Sequence, residues 1–97
     1  MKLKWSSLAA KRLANFVKYI SIDNPDTGRN FANTIFKSIE KLKIFPESGR
    51  VVPELDKSKY REILVGNYRL IYSIDNDVIQ ILTIRHQKQL LKIKDIK

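Results

Sequence analysis

The chain has 97 residues, 43% hydrophobic and 30% charged, with three Gly, three Pro, no Cys and one His. That composition excludes collagen-like, low-complexity and disordered classes, a disulfide framework, a thiolate nucleophile and a multi-His metal cluster. Nineteen Lys and Arg against ten Asp and Glu leave a formal net charge of +9, which attracts polyanions or an acidic protein. The length fits a single domain spanning residues 1–97. No cofactor or metal is expected. No apolar run approaches the roughly 20 residues of a membrane span, and the opening residues lack an apolar signal core. A soluble, cytoplasmic protein is the expectation.

Lys2–Trp5 reads as a short strand, after which Ser6 and Ser7 offer hydroxyls to cap a helix. From Leu8 to Ile22, Ala9, Leu13, Phe16, Val17 and Ile20 form one face of a 3.6-residue period. Asn24-Pro25 then breaks that helix and opens the next, with Asn24 as cap and Pro25 at a position needing no N–H. The second helix carries Phe31, Ile35, Phe36, Ile39 and Leu42 on one stripe and ends at Pro46 and Gly49. Arg50–Ser58 reads as a loop with a short extended piece at Val51-Val52. Tyr60–Val65, Tyr68–Ile74 and Val78–Arg85 are rich in Ile, Val, Leu and Tyr, which suits pleated strands. Gly66-Asn67 and Asp75-Asn76-Asp77 supply the turns of a three-stranded meander, to whose edge the opening strand adds. The predicted fold class is α+β: a two-helix hairpin packed on one face of a small antiparallel sheet.

A one-residue slip in register sends every side chain to the other face, so register decides which chemistry assembles. Pairing Val65 with Tyr68 and Ile74 with Ile79 gathers Ile63, Val65, Leu70, Tyr72, Ile74, Ile79 and Ile81 beneath the helices. The opposite, open face then collects Glu62, Leu64, Arg69, Ile71, Ser73, Gln80, Leu82, Ile84 and His86. Trp5, Tyr68 and Tyr72 fall on the core side.

This face, with Glu54, Lys57, Lys59 and Arg61 near it, holds the residue types of a metal-independent ribonuclease. Glu54 or His86 can act as base or acid, and Arg69 and Arg61 can take a phosphate bidentately. Structural ion pairing explains Arg69 equally well, and a hydrogen-bonding role for His86 outweighs a catalytic one.

Pro46-Glu47-Ser48-Gly49-Arg50, Val52-Pro53-Glu54-Leu55, Tyr60-Arg61-Glu62-Ile63, Gly66 to Tyr72 and Ile81 to His86 together resemble the ParE/RelE superfamily. These are toxins of bacterial type II toxin–antitoxin modules, of the plasmid-stabilisation kind. The resemblance covers nearly the whole chain and favours the ParE-like branch. It implies a basic toxin neutralised by a cognate acidic antitoxin, with Leu64, Ile71, Leu82 and Ile84 on the open face giving that partner an apolar surface. ParE-like members inhibit DNA gyrase by binding; RelE-like members cut mRNA on the ribosome. In the RelE-like case Glu54, Arg69 and His86 match catalytic positions, although Gln87 stands where several ribonuclease members carry an aromatic residue. Contacts to gyrase, or to the ribosome and its mRNA, are expected from Arg50, Lys57, Lys59, Arg61, Arg85 and Lys88.

A non-toxic basic nucleic-acid-binding domain is the third reading, distinguished by salt-sensitive, sequence-indifferent DNA binding. Residues 87–97 interleave Leu90, Leu91, Ile93 and Ile96 with lysines. That pattern suits an extra element covering the sheet edge more than a segment dedicated to a target.

Overall fold

The computed structural model describes residues 1–55 and 57–88; the pattern at 89–97 lies outside the described residues. The order of elements is β1 (Lys2–Trp5), α1 (Ser7–Ser21), α2 (Pro25–Ile44), β2 (Arg50–Val51), β3 (Tyr60–Val65), β4 (Tyr68–Asp75) and β5 (Val78–His86). The strands form one mixed sheet in the order β1-β5-β4-β3-β2, with β1 parallel to β5 and the other pairs antiparallel.

Both helix starts follow from their caps. Ser6 Oγ accepts from the Ala9 N–H at 3.0 Å, and Asn24 Oδ1 accepts from the Asp26 N–H at 2.9 Å. Each satisfies a donor that a helix leaves orphaned in its first turn. Gly28 lets α2 close onto α1: a Cβ there would lie 1.9 Å from Ser21 Oγ and 3.0 Å from the Val17 carbonyl.

One face of the sheet packs on the helices. Ala9, Leu13, Ile35, Ile39 and Leu42 meet Val65, Leu70, Tyr72, Ile79, Ile81 and Ile84, with Ile63 and Ile74 partly buried against them. Tyr68 holds Phe16 and Phe31 with ring centroids 4.8 Å away on each side. Tyr72 is sealed, and its hydroxyl donates to the Pro46 carbonyl at 2.7 Å and accepts from the Gly49 N–H at 3.0 Å. The loop after α2 is thereby tied to the core. Burial raises the Tyr72 pKa, so its stabilisation is complete below the unfolded value near 10 and is lost as pH rises past it. Tyr72→Phe should cost about 1–3 kcal/mol, because two buried backbone groups lose their partner. Urea titrations should read that cost, and the variant should show a smaller alkaline loss than the parent.

The predicted registers Val65 to Tyr68 and Ile74 to Ile79 are present, but β5 contains a bulge. Ile71 pairs with Thr83 and Tyr72 with Ile81, leaving Leu82 as the extra residue. The bulge reverses the alternation that follows it. Ile84 therefore stands opposite Leu70 in the helix-side core, and His86 stands opposite Tyr68 with ring centroids 5.6 Å apart. Uniform alternation had placed both on the open face. The physical reason is the spacing of Ile79, Ile81 and Ile84: only a one-residue insertion brings all three to the core.

The other face is not bare. Val52, Ile71 and Leu82 form a second apolar cluster, joined by Leu55 and Tyr60. The segment after β2 crosses the sheet as a strap. It is pinned where the Val52 N–H donates to the Tyr60 carbonyl at 3.0 Å and the Ile74 N–H donates to the Lys59 carbonyl at 2.8 Å.

Candidate functional site

Four charged side chains alternate across the strap-covered face. Arg50 on β2 donates to Glu62 Oε2 from Nε at 3.1 Å and from Nη2 at 2.8 Å. Arg69 on β4 donates from Nε and Nη2 to Glu62 Oε1. It reaches Glu54 on the strap from Nη1 and Nη2, each at 2.8 Å. The order is Arg50–Glu62–Arg69–Glu54. Its middle is buried and its ends are not: side-chain exposure is 60% for Arg50, 0% for Glu62, 7% for Arg69 and 25% for Glu54. The Glu54 carboxylate, helped by Glu62, raises the Arg69 pKa further above its ordinary value, while desolvation opposes it. Arg69 therefore stays cationic at any workable pH.

Above this chain of ion pairs lies a cleft of about 580 Å³, lined by Arg50, Pro53, Glu54, Leu64, Arg69 and Lys88, with Gln87. Glu54 and Arg69 thus come together as the sequence suggests. His86 does not join them; it lies on the helix side against Tyr68, and its Nδ1 accepts from the Lys88 N–H at 3.3 Å. The expected catalytic trio is split between the two faces of the sheet.

The expected basic surface is only partly available to a target. Arg61 donates to the carbonyls of Ser58, Glu47 and Gly49 at 3.1, 3.2 and 2.9 Å, clamping the loop after α2. Arg85 pairs with Arg69 in the strand register and is half-buried. Lys57 and Lys59 are exposed on the strap, with Lys59 Nζ 5.0 Å from the centre of the Tyr60 ring. Of the four apolar residues expected to face a partner, Leu64 is 55% exposed. Ile71 and Leu82 lie beneath the strap and Ile84 beneath the helices, because of the second cluster and the bulge.

Two features escape a reading of the sequence. Glu62 is the hub of the ion pairs; its shared face with Arg69 was legible, but strand register alone does not reveal that a second arginine reaches it from β2. The other is an apolar groove of about 620 Å³ where the two helices meet Trp5 of β1. Trp5, Ala10, Ala14, Val17, Ala32 and Phe36 are among its walls, and Lys18 stands in it. Its signal is the run of alanines beside the core stripe, too small to fill the space between two helices.

The family described as "ParE toxin of type II toxin-antitoxin system, parDE" matches residues 3–91. Y4kP of Sinorhizobium fredii (strain NBRC 101917 / NGR234), whose name proposes a toxin, is 33% identical over 90 residues, covering 91% of this chain and 90% of that protein. Among solved structures, the chromosomal ParDE TA system from P. aeruginosa is similar in fold, with a TM-score of 0.74 at 20% identity. That match covers 89% of this chain and 95% of the other.

Proposed function

The chain belongs to the ParE toxin family of type II toxin–antitoxin systems, and from that premise we propose that it inhibits DNA gyrase by binding and is neutralised by an acidic antitoxin. The observation that carries this reading is the state of Arg69. Its guanidinium is held by two carboxylates, and the His that would complete a ribonuclease centre is on the other face of the sheet. A phosphodiester-cleaving site needs cations that gain a partner as charge develops on the reacting phosphate. Arg69 already has its partners, and the fully buried Glu62 among them occupies part of its charge throughout. A toxin acting by occupancy requires no such reserve.

Charge supports the second half of the proposal. The hairpin groove is apolar at its floor, with Lys18 in it and exposed Lys11 and Lys37 next in sequence to its wall residues Ala10 and Phe36. An amphipathic helix with an acidic outer face is the complement of such a groove. The antitoxin is the occupant we assign to it.

Induced expression in bacteria tests the target. DNA supercoiling should fail, or DNA breaks accumulate, before protein synthesis declines. Early arrest of translation with codon-positioned mRNA cuts would instead select the ribosome-dependent ribonuclease. His86→Ala should leave toxicity within about twofold of the parent, as for a substitution outside any critical contact. A growth assay across inducer levels measures it.

A further inference from the structure

We propose that the cleft over Arg69 is a carboxylate socket in which Glu54 is the resident anion, and that an acidic side chain of a partner replaces it there. The occupant's identity rests on the acidic antitoxin inferred above; the geometry does not.

The two carboxylates on Arg69 are not equivalent. Glu62 is fully buried on β3 and shared with Arg50, so no incoming group reaches it. Glu54 is a quarter exposed and sits on the strap, within the Val52–Leu55 turn closed by the Leu55 N–H on the Val52 carbonyl at 3.1 Å. Its two oxygens meet Nη1 and Nη2 at 2.8 Å each, the planar fork-to-fork arrangement that Arg makes with a carboxylate. The site is thus already shaped for this group. Exchanging one carboxylate for another keeps the buried guanidinium paired throughout, which avoids the large cost of leaving it alone.

Charge and surroundings narrow the ligand further. With Glu54 withdrawn, Arg69 still meets the buried carboxylate of Glu62. A phosphate dianion would lie against that carboxylate, so a singly charged carboxylate suits the site better. Beside the socket, Pro53 and the exposed Leu64 give an apolar ledge, and Lys88 stands at the rim. The preferred ligand is therefore an Asp or Glu followed by an apolar residue.

The test follows the Arg69 Nε–H signal by NMR in the full chain. The probes are acetyl-Glu-Leu-amide, acetyl-Gln-Leu-amide and inorganic phosphate. Glu54→Gln should bind the Glu-Leu probe about tenfold more tightly than the parent, the worth of one charge-assisted contact no longer competed for. The Gln-Leu probe should leave the signal unmoved in both proteins. Equal affinity of parent and Glu54→Gln for the Glu-Leu probe would overturn the proposal, and so would tighter binding of phosphate. Should Glu54→Gln not fold, Glu54→Asp, with its shorter reach, should still bind the probe more tightly than the parent; an affinity at or below the parent's would refute the idea. None of these readouts involves gyrase or an antitoxin, so a failed gyrase assay leaves this result standing and the reverse also holds.

Discussion

Glu62→Ala should destabilise the protein by about 3–5 kcal/mol, the usual cost of stripping one partner from a buried ion pair. For a domain of this size that is a large share of the total, since whole domains hold only about 5–15 kcal/mol. The loss exceeds that of an ordinary surface charge because Glu62 serves two arginines. Without it, Arg69 loses its fully buried partner, and Arg50 on the two-residue strand β2 loses its anchor on β3. The strap and the second apolar cluster should loosen together. Chemical denaturation with tryptophan fluorescence reads the cost, with Trp5 as the reporter. A double variant, Glu62→Leu with Arg69→Met, should recover much of it, because both buried charges are then gone and the two outer members, Arg50 and Glu54, reach solvent. If the single variant were as stable as the parent, the ion pairs would not be what holds the strap down.

The second large effect concerns the groove. Ala14→Arg should weaken antitoxin binding at least about a hundredfold, equivalent to about 2.7 kcal/mol. Ala14 is exposed on α1 and lies in the groove wall, so a long cation there fills the space that the antitoxin would occupy. The variant should fold normally and remain toxic, yet escape rescue by a co-expressed antitoxin. Calorimetry with the purified antitoxin measures the affinity, and a growth assay measures the escape. Unaltered rescue would move the antitoxin's principal contact elsewhere.

The sheet is largely legible in the sequence. Gly66 takes a φ of +58° and Asn76 a φ of 54°, each at the first central position of its hairpin, the sign that primed turns require. With those turns fixed, alternation placed Ile63, Leu70, Tyr72 and Ile79 correctly. The helices were legible for a similar reason, since caps and breakers mark their ends locally. The bulge was not read, because a strict period of two carries no provision for an inserted residue. Its only trace is the shift from Ile81 to Ile84, and missing it sent His86 to the wrong face.

The site was legible in part. Glu54 and Arg69 do meet. Net charge, however, counts cations without saying where they are spent. Arg50, Arg61 and Arg69 are used inside the molecule, on Glu62, on three backbone carbonyls and on two carboxylates. Such expenditure depends on how the strap crosses the sheet, and a strap rich in turn residues gives no periodicity from which to place it. The groove was missed for a different reason: helical spacing identifies the apolar stripe, but not that small alanines beside it remain uncovered.

Purified gyrase, relaxed plasmid DNA and ATP, incubated with increasing amounts of this protein, make the most direct test. Supercoiling should fall as the protein is added and return on stoichiometric addition of the acidic antitoxin. Undiminished supercoiling, together with mRNA cleavage when the same preparation meets translating ribosomes, would contradict the account.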